Sequence, residues 1–199
     1  MEKRIRNIQT SDAKAVRDIY EPYVSGTATS FEIEAPDVFA MEQRIRSLVG
    51  QFPWIVFEAD GKVLGYAYAS RHRERLAYQW CSDVALYVHH SVHRCGVGRA
   101  LYKSLFEILR AQGYVNAYAG ITLPNASSVG LHEAMGFSTV GVYAHIGYKF
   151  GRWHDVAWLH FRLLDPETPI PTPLPASQIV DAEYISDVFQ KQAATIRYG

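Results

Sequence analysis

Leu86-Tyr87-Val88, the histidine-rich run His89–His93, and then Arg94-Cys95-Gly96-Val97-Gly98-Arg99 form the stretch on which the reading of this 199-residue chain turns. A β-rich run ends at Val88 and a glycine-containing loop follows. An amphipathic pattern then begins, with Val97, Leu101, Leu105, Ile108 and Leu109 on one helical face and Gly113 as the stop signal. Strand, glycine loop and helix N-terminus, in that order, can make an anion site. Glycine lets the backbone curl closely around a ligand. The loop amides then point into one concavity, backed by the positive end of the helix dipole. A diphosphate fits such a cradle, and Arg94 and Arg99 add charge. Two other phosphate motifs are absent. No Gly-Lys-Ser/Thr follows the spaced glycines, and Leu101 stands where a dinucleotide fingerprint needs its third glycine. Taken alone, the stretch also fits a plain glycine turn before a helix.

Upstream, Lys3–Ile8 reads as a short strand. Ser11 and Asp12 can cap a helix whose apolar face carries Ala13, Val16, Ile19, Tyr20 and Tyr23, with Pro22 expected to end or kink it. Asp37 opens a second helical pattern through Met41, Ile45, Leu48 and Val49. Trp54–Glu58 and Lys62–Ala69 are β-rich runs joined across Asp60-Gly61, a hairpin signal because glycine supplies the positive φ of a tight turn. Tyr78–His89 reads as one extended run. Downstream, Tyr114–Thr122 is a strand and Asn125 caps a short helix that Gly136 ends. Phe137–Ile146 and Trp153–Leu164 form the last strands around a Gly147–Gly151 turn. The order β-α-α-β-β-β-α-β-α-β-β predicts an α/β fold, a mixed sheet with helices on both faces. Residues 1–164 read as the domain and 165–199 as a C-terminal extension. Five prolines between Pro166 and Pro175 make an extended arm, and a short helix is expected over Ile179–Gln192.

Bulk properties exclude several function classes. Hydrophobic residues make up 48% and charged residues 20%, an ordinary globular balance. Lys+Arg and Asp+Glu are equal at 20 each, which argues against nucleic acid or a membrane surface as the main partner. No apolar run is long enough for a signal peptide or a membrane span. Cys81 and Cys95 are expected to be free thiols in a reducing cytoplasm.

The Gly96 stretch resembles motif A of the GNAT acetyltransferases, R/Q-x-x-G-x-G/A, with His93 standing at the first position. Asn125-Ala-Ser-Ser-Val-Gly-Leu-His-Glu-Ala-Met-Gly-Phe137 is similar to the motif B helix of that family. Thr29-Ser30-Phe31-Glu32, Phe52-Pro53-Trp54, Gly65–Ala69, Leu123-Pro124-Asn125, Leu131–Ala134 and Gly147–Val156 resemble the phosphinothricin acetyltransferase subgroup, as does the proline-rich end. The resemblance spans roughly residues 4–180. It implies an enzyme that moves acetyl from acetyl-CoA to the primary amine of a small amino-acid-like substrate by direct transfer, as a homodimer. It also implies that the thioester meets the backbone of Leu86, Tyr87 and Val88, that the diphosphate sits on Arg94, Cys95, Gly96, Val97, Gly98 and Arg99, and that Asn125 and Ser128 hold the pantetheine arm.

Acetyl transfer to an ammonium needs a proton acceptor for the amine, a donor for the oxyanion and a proton for the leaving thiolate. The resemblance puts Asp83 where the subgroup carries a strand Glu, and His132 on its motif B histidine. Asp83 is one methylene shorter than that Glu, which favours a bridging water. An unperturbed Asp is a poor base at neutral pH and an unperturbed His a better one. His132 also falls where many GNAT enzymes carry a thiolate-protonating Tyr, so base and acid roles both stay open. The Val88 N–H is the expected oxyanion donor. Arg71, Arg73 and Arg75 alternate with His72 and Glu74. In an extended segment such residues share one side, where bidentate guanidiniums suit a carboxylate, phosphinate or sulfonyl group. By resemblance Arg73, Arg75 and Tyr78 belong to the substrate loop and Phe31 to the opposite wall, with Arg75 expected to grip the substrate carboxylate. A solvated basic loop is the competing reading. His89, His90 and His93 lack the spaced partners of a closed metal site, so no metal is expected, and Cys81 reads as a small strand residue. A non-catalytic acetyl-CoA-binding module and a protein N-acetyltransferase on the same fold are the alternatives.

Overall fold

The computed structural model describes residues 2–166 and 171–198. In chain order the elements are β1 (Lys3–Asn7), α1 (Ala13–Ser25), α2 (Val38–Leu48), β2 (Trp54–Ala59), β3 (Lys62–Arg71), β4 (Cys81–Val88), α3 (Val97–Gln112), β5 (Asn116–Thr122), α4 (Ala126–Ala134), β6 (Ser138–Lys149), β7 (Arg152–Arg162) and α5 (Glu183–Ala194). The strands form one mixed sheet in the order β1-β2-β3-β4-β5-β7-β6. β2 is buried along nearly its whole length because both faces are covered. Trp54 and Val56 pack with Val16, Ile19, Met41 and Ile45 of α1 and α2, while Ile55 and Phe57 pack with α3. Leu101, Leu105, Ile108 and Leu109, the face read from the sequence, are fully buried. Each contributes about 1.5–3 kcal/mol of transfer free energy.

One pairing shapes the molecule. β4 and β5 run parallel but pair only at Cys81↔Asn116, Ser82↔Ala117 and Asp83↔Tyr118. β4 then continues to Val88 bonded to β3, and β5 to Thr122 bonded to β7. The two strands therefore part like a wedge, and the sheet is open between them from Val84 onward.

Several boundaries differ from the sequence expectation. α1 runs past Pro22 to Ser25, and the Pro22 carbonyl accepts from Gly26 N–H at its end. The expected strand from Tyr78 begins only at Cys81, because Leu76–Tyr78 forms a 3-10 turn. β6 continues to Lys149, so the last turn is Phe150-Gly151, both with positive φ, rather than Gly147–Gly151. The C-terminal helix begins at Glu183, four residues later than expected, after a 3-10 turn at Ala176–Gln178.

The expected proline-rich arm lies partly outside the described residues. Its described part is tied down: Pro171 O accepts from Trp80 Nε1, and Leu174 exchanges hydrogen bonds with Gln112. α5 packs on α3 and β1, with Ile185, Phe189, Ala193 and Ile196 in the α3 core.

Candidate active site

The wedge between β4 and β5 opens beside the N-terminus of α3. Arg94 and Gly96 adopt left-handed φ values of 62° and 89°, which turn the chain sharply before the helix. Gly96 O accepts from Ala100 N–H, but none of the amides from Arg94 to Arg99 donates to a described protein group. The loop's carbonyl side is occupied instead: Cys95 O accepts from Arg197 N–H at 2.8 Å. A Cβ on Gly98 would come within 2.9 Å of Leu86 Cδ2 and 3.3 Å of Leu131 Cδ2, so glycine lets α3 press against β4 and α4. Unpaired amides around a left-handed turn fit a diphosphate. Arg94 is exposed, whereas Arg99 Nη2 donates to Ala134 O at 3.2 Å and so braces the end of α4.

Antiparallel pairing alternates the direction of backbone groups. His89 N–H bonds Leu64 O, which fixes the register and turns the amides of Val84, Leu86 and Val88 away from β3, into the wedge. The amides of Leu86 and Val88 have no acceptor among the described residues, while Val88 O is taken by Tyr23 Oη at 2.6 Å and His93 Nε2 at 3.0 Å. Tyr87 backbone bonds β3 instead, and its ring joins Tyr20, Tyr23 and Tyr66 on the α1 face.

The wedge is a narrow cleft of about 70 Å³, lined by Thr29, Leu86, Tyr102, Gly120, Asn125 and His132 among others. A larger trough of about 680 Å³ between β1 and α5 holds none of the expected site residues. Asn125 caps α4, its Oδ1 accepting from Ser128 N–H and Ser127 Oγ, so only its amide nitrogen is left for a ligand. His132 is buried at 4% exposure. Its Nδ1 lies 2.8 Å from Ser128 O, which can only accept, so Nδ1 carries the proton. Nε2 then accepts from Tyr102 Oη at 2.9 Å. Burial pushes the imidazole below its ordinary 6.5, against the pull of the Ser128 carbonyl, and holds it neutral.

Asp83 and His132 do not meet. Asp83 Oδ1 lies 2.6 Å from Nδ1 of His72, just beyond the end of β3. Burial pushes the Asp83 carboxyl above its ordinary value, while His72 and the charge of Arg73 pull it down. The His72 ring stacks on Tyr118 at 4.5 Å and lies edge-on to Tyr78 and Trp158. This pinning overturns the expectation of an extended arginine face. The chain bends at His72 and enters the 3-10 turn, Arg71 approaches Glu74 at 4.0 Å, and Arg73 and Arg75 are exposed. Arg73 and Tyr78 flank the Asp83–His72 pair; Arg75 stands at the start of the turn.

Phe31 covers Gly147 of β6, a position where any side chain would collide with the ring. Lys149 fixes this wall: its buried Nζ donates to Val24 O at 2.6 Å and Ser30 O at 2.8 Å, and burial lowers its pKa. Sequence reasoning passed over His72 and Tyr102. His72 was masked by the arginines around it. No local pattern marked it: the register that pairs Ser70 with Asp83, and so brings a residue just after β3 to the carboxylate, is set by the fold. Tyr102 lies beside Leu101 in α3 and belongs to none of the motifs read from the sequence.

A family profile described as an acetyltransferase (GNAT) domain matches residues 5–158. A phosphinothricin N-acetyltransferase of Streptomyces viridochromogenes is 37% identical over 83% of this chain and 92% of its own length. An L-methionine sulfoximine/L-methionine sulfone acetyltransferase of Salmonella typhimurium is 31% identical over 83% of this chain and 97% of its own. The crystal structure of a GNAT-superfamily phosphinothricin acetyltransferase from Sinorhizobium meliloti, in complex with AcCoA, superimposes with a TM-score of 0.79 at 29% identity, over 85% of this chain and 96% of that one. yncA of Salmonella typhimurium, solved with its cofactor acetyl-CoA, gives 0.80 at 30%, over 85% and 98%. With its splayed strands, its glycine loop and most of its length accounted for in this way, the chain belongs to the GNAT acetyltransferase family.

Proposed function

We propose that the protein transfers acetyl from acetyl-CoA to the primary amine of a small amino-acid-like substrate of the phosphinothricin, methionine sulfone or methionine sulfoximine type. The observation that carries this reading is the wedge itself. The free amides of Leu86 and Val88 line it, next to the unpaired amides of Arg94–Arg99. The names of the relatives at 31–37% identity supply the substrate class.

Acetyl-CoA, when bound, supplies an activated acetyl group and a thiolate leaving group. The loop Arg94–Arg99 holds its diphosphate and the Asn125–Ser128 cap its pantetheine arm. The N–H of Val88, held rigid in β4 and needing no reorganisation, is aimed at the developing oxyanion. Asp83 serves the amine side. His132, neutral and with both ring nitrogens engaged, positions the Tyr102 hydroxyl in the cleft on the thiolate side. Phe31, Arg73, Arg75 and Tyr78 bind the amino acid, with an arginine on its carboxylate.

The same reading makes the chain a cytoplasmic homodimer. Cys81 and Cys95 are free, and no helix among the described residues is long and apolar enough to cross a membrane. Val140, Val142, Ile146, Tyr148 and Trp153 of the β6–β7 edge are exposed, an apolar surface of the kind subunits cover.

Thiol release from acetyl-CoA, measured with purified protein and a panel of amino acids, tests the proposal. Release that depends on phosphinothricin or methionine sulfone is expected. Binding of acetyl-CoA with no amine-dependent release by any member would favour a non-catalytic module, and release only with peptides a protein acetyltransferase.

A further inference from the structure

Asp83, a short carboxylate on β4, is extended toward the site by a histidine: Nδ1 of His72 lies 2.6 Å from Asp83 Oδ1. A carboxylate accepts only, so Nδ1 carries the proton and Nε2 carries the lone pair. The ring has little freedom to leave: it stacks on Tyr118 at 4.5 Å with an 18° tilt, and Tyr78 and Trp158 stand at steep angles to it with ring centroids 6.2 and 6.0 Å away. Asp83 makes the last pair of β4 with β5, at the foot of the wedge and next to Val84, the first β4 residue to line the cleft; along β4 it lies three residues or roughly 10 Å from the free Leu86 amide and five residues or roughly 17 Å from that of Val88. An imidazole oriented by a carboxylate on its far nitrogen is the arrangement that makes a histidine a general base. His132, the other histidine of the site, has its lone pair already engaged by Tyr102.

We infer that His72 is the general base of this enzyme, taking the ammonium proton of the substrate on Nε2 while Asp83 holds the ring and balances the imidazolium. The inference rests on the acetyltransferase reading above. The protons balance. The substrate ammonium gives one proton to His72. The C–N bond forms as the C–S bond breaks, and the second nitrogen proton leaves with the thiolate. His72 returns its proton to solvent. The titratable and charged groups around the ring are Asp83 on β4, Tyr118 on β5, Tyr78 on the 3-10 turn and Arg73, whose charge acts on Asp83; Cys81 and Tyr68 lie within electrostatic reach of Asp83, and β7 places the neutral Trp158 beside the ring and His160 and Arg162 near Tyr118.

The experiment is a set of pH–rate profiles, with phosphinothricin or methionine sulfone as the amine, for the wild type, His72→Phe, Asp83→Asn and the double variant His72→Phe/Asp83→Glu. Phenylalanine keeps the stack on Tyr118 and removes both nitrogens. His72→Phe is expected to lower kcat about 100-fold at pH 7 with KM for acetyl-CoA unchanged. The deficit should narrow as pH approaches the amine's own titration, where the free base no longer needs help. The double variant should regain part of the loss, because glutamate restores the reach. Asp83→Asn should move the rising limb to lower pH, since the imidazolium loses its counter-charge. A His72→Phe rate equal to wild type, or a deficit of the same size at every pH, overturns the inference while leaving the acetyltransferase reading intact. If His72→Phe does not fold, an unmoved limb in Asp83→Asn overturns it instead. A wild type inert toward every amine in the panel, though it binds acetyl-CoA, overturns the parent reading and this one with it.

Discussion

A carboxylate, two histidines and a few arginines make up the proposed site, and at this scale burial decides what each can do. His132 is held neutral because desolvation disfavours its charged form. Its folded pKa lies below the ordinary 6.5, so the unfolded chain takes up a proton that the folded chain resists. The stability this histidine allows is therefore complete above about pH 6.5 and declines as pH falls below it. His132→Gln should flatten the urea-unfolding free energy between pH 7 and 5 relative to wild type; an unchanged slope would show that His132 is not the proton-linked group. Arg75 is exposed and tied to no other side chain in the site. If it grips the substrate carboxylate, Arg75→Ala should raise KM for the amino acid about tenfold and leave KM for acetyl-CoA where it was. Equal effects on both would remove it from the substrate loop. The places of Asp83 on β4 and of His132 on α4 were legible because both fall within recognisable motifs. The partner of Asp83 was not, since a side chain's neighbour across a bend depends on register rather than on spacing.

Helices and turns were the most readable level, because their signals are local. The α3 face, its Gly113 stop, the Asn125 cap and the Asp60-Gly61 hairpin all follow from a few adjacent residues, and all are present in the fold. The extended arginine run failed because propensity says nothing of a ring pinned from a neighbouring strand. Gly98 is a further local device. A larger residue there must displace the side-chain ends of Leu86 and Leu131, and Leu86 lines the cleft. Gly98→Val should weaken acetyl-CoA binding at least tenfold by calorimetry. Unaltered affinity would mean that the close approach of α3 to β4 does not shape the cofactor site. Lys149 works at the same level: its two bonds to Val24 and Ser30 carbonyls tie the Phe31 wall to β6.

The C-terminal extension is part of the whole rather than an appendage. Ile185 is fully buried between α5 and the α3 core, and Arg197 reaches back to Cys95 at the base of the glycine loop. Ile185→Ala should cost about 2–5 kcal/mol in denaturant unfolding, and a loss under 1 kcal/mol would place the extension outside the core. The composition shift after Asp165 was legible, but the return of the chain onto α3 was not, because long-range packing leaves no local pattern. The splay of β4 from β5 is likewise a property of the whole sheet. It arises from which neighbour each strand keeps, and it creates both the cleft and the free amides along its edge.

That geometry makes one structural test decisive, a crystal structure of the protein soaked with acetyl-CoA. The diphosphate should lie on the amides of Arg94–Arg99, with the thioester carbonyl within hydrogen-bonding distance of the Val88 N–H. Density for the cofactor elsewhere, with those amides bare or bonded to protein groups, would contradict the account.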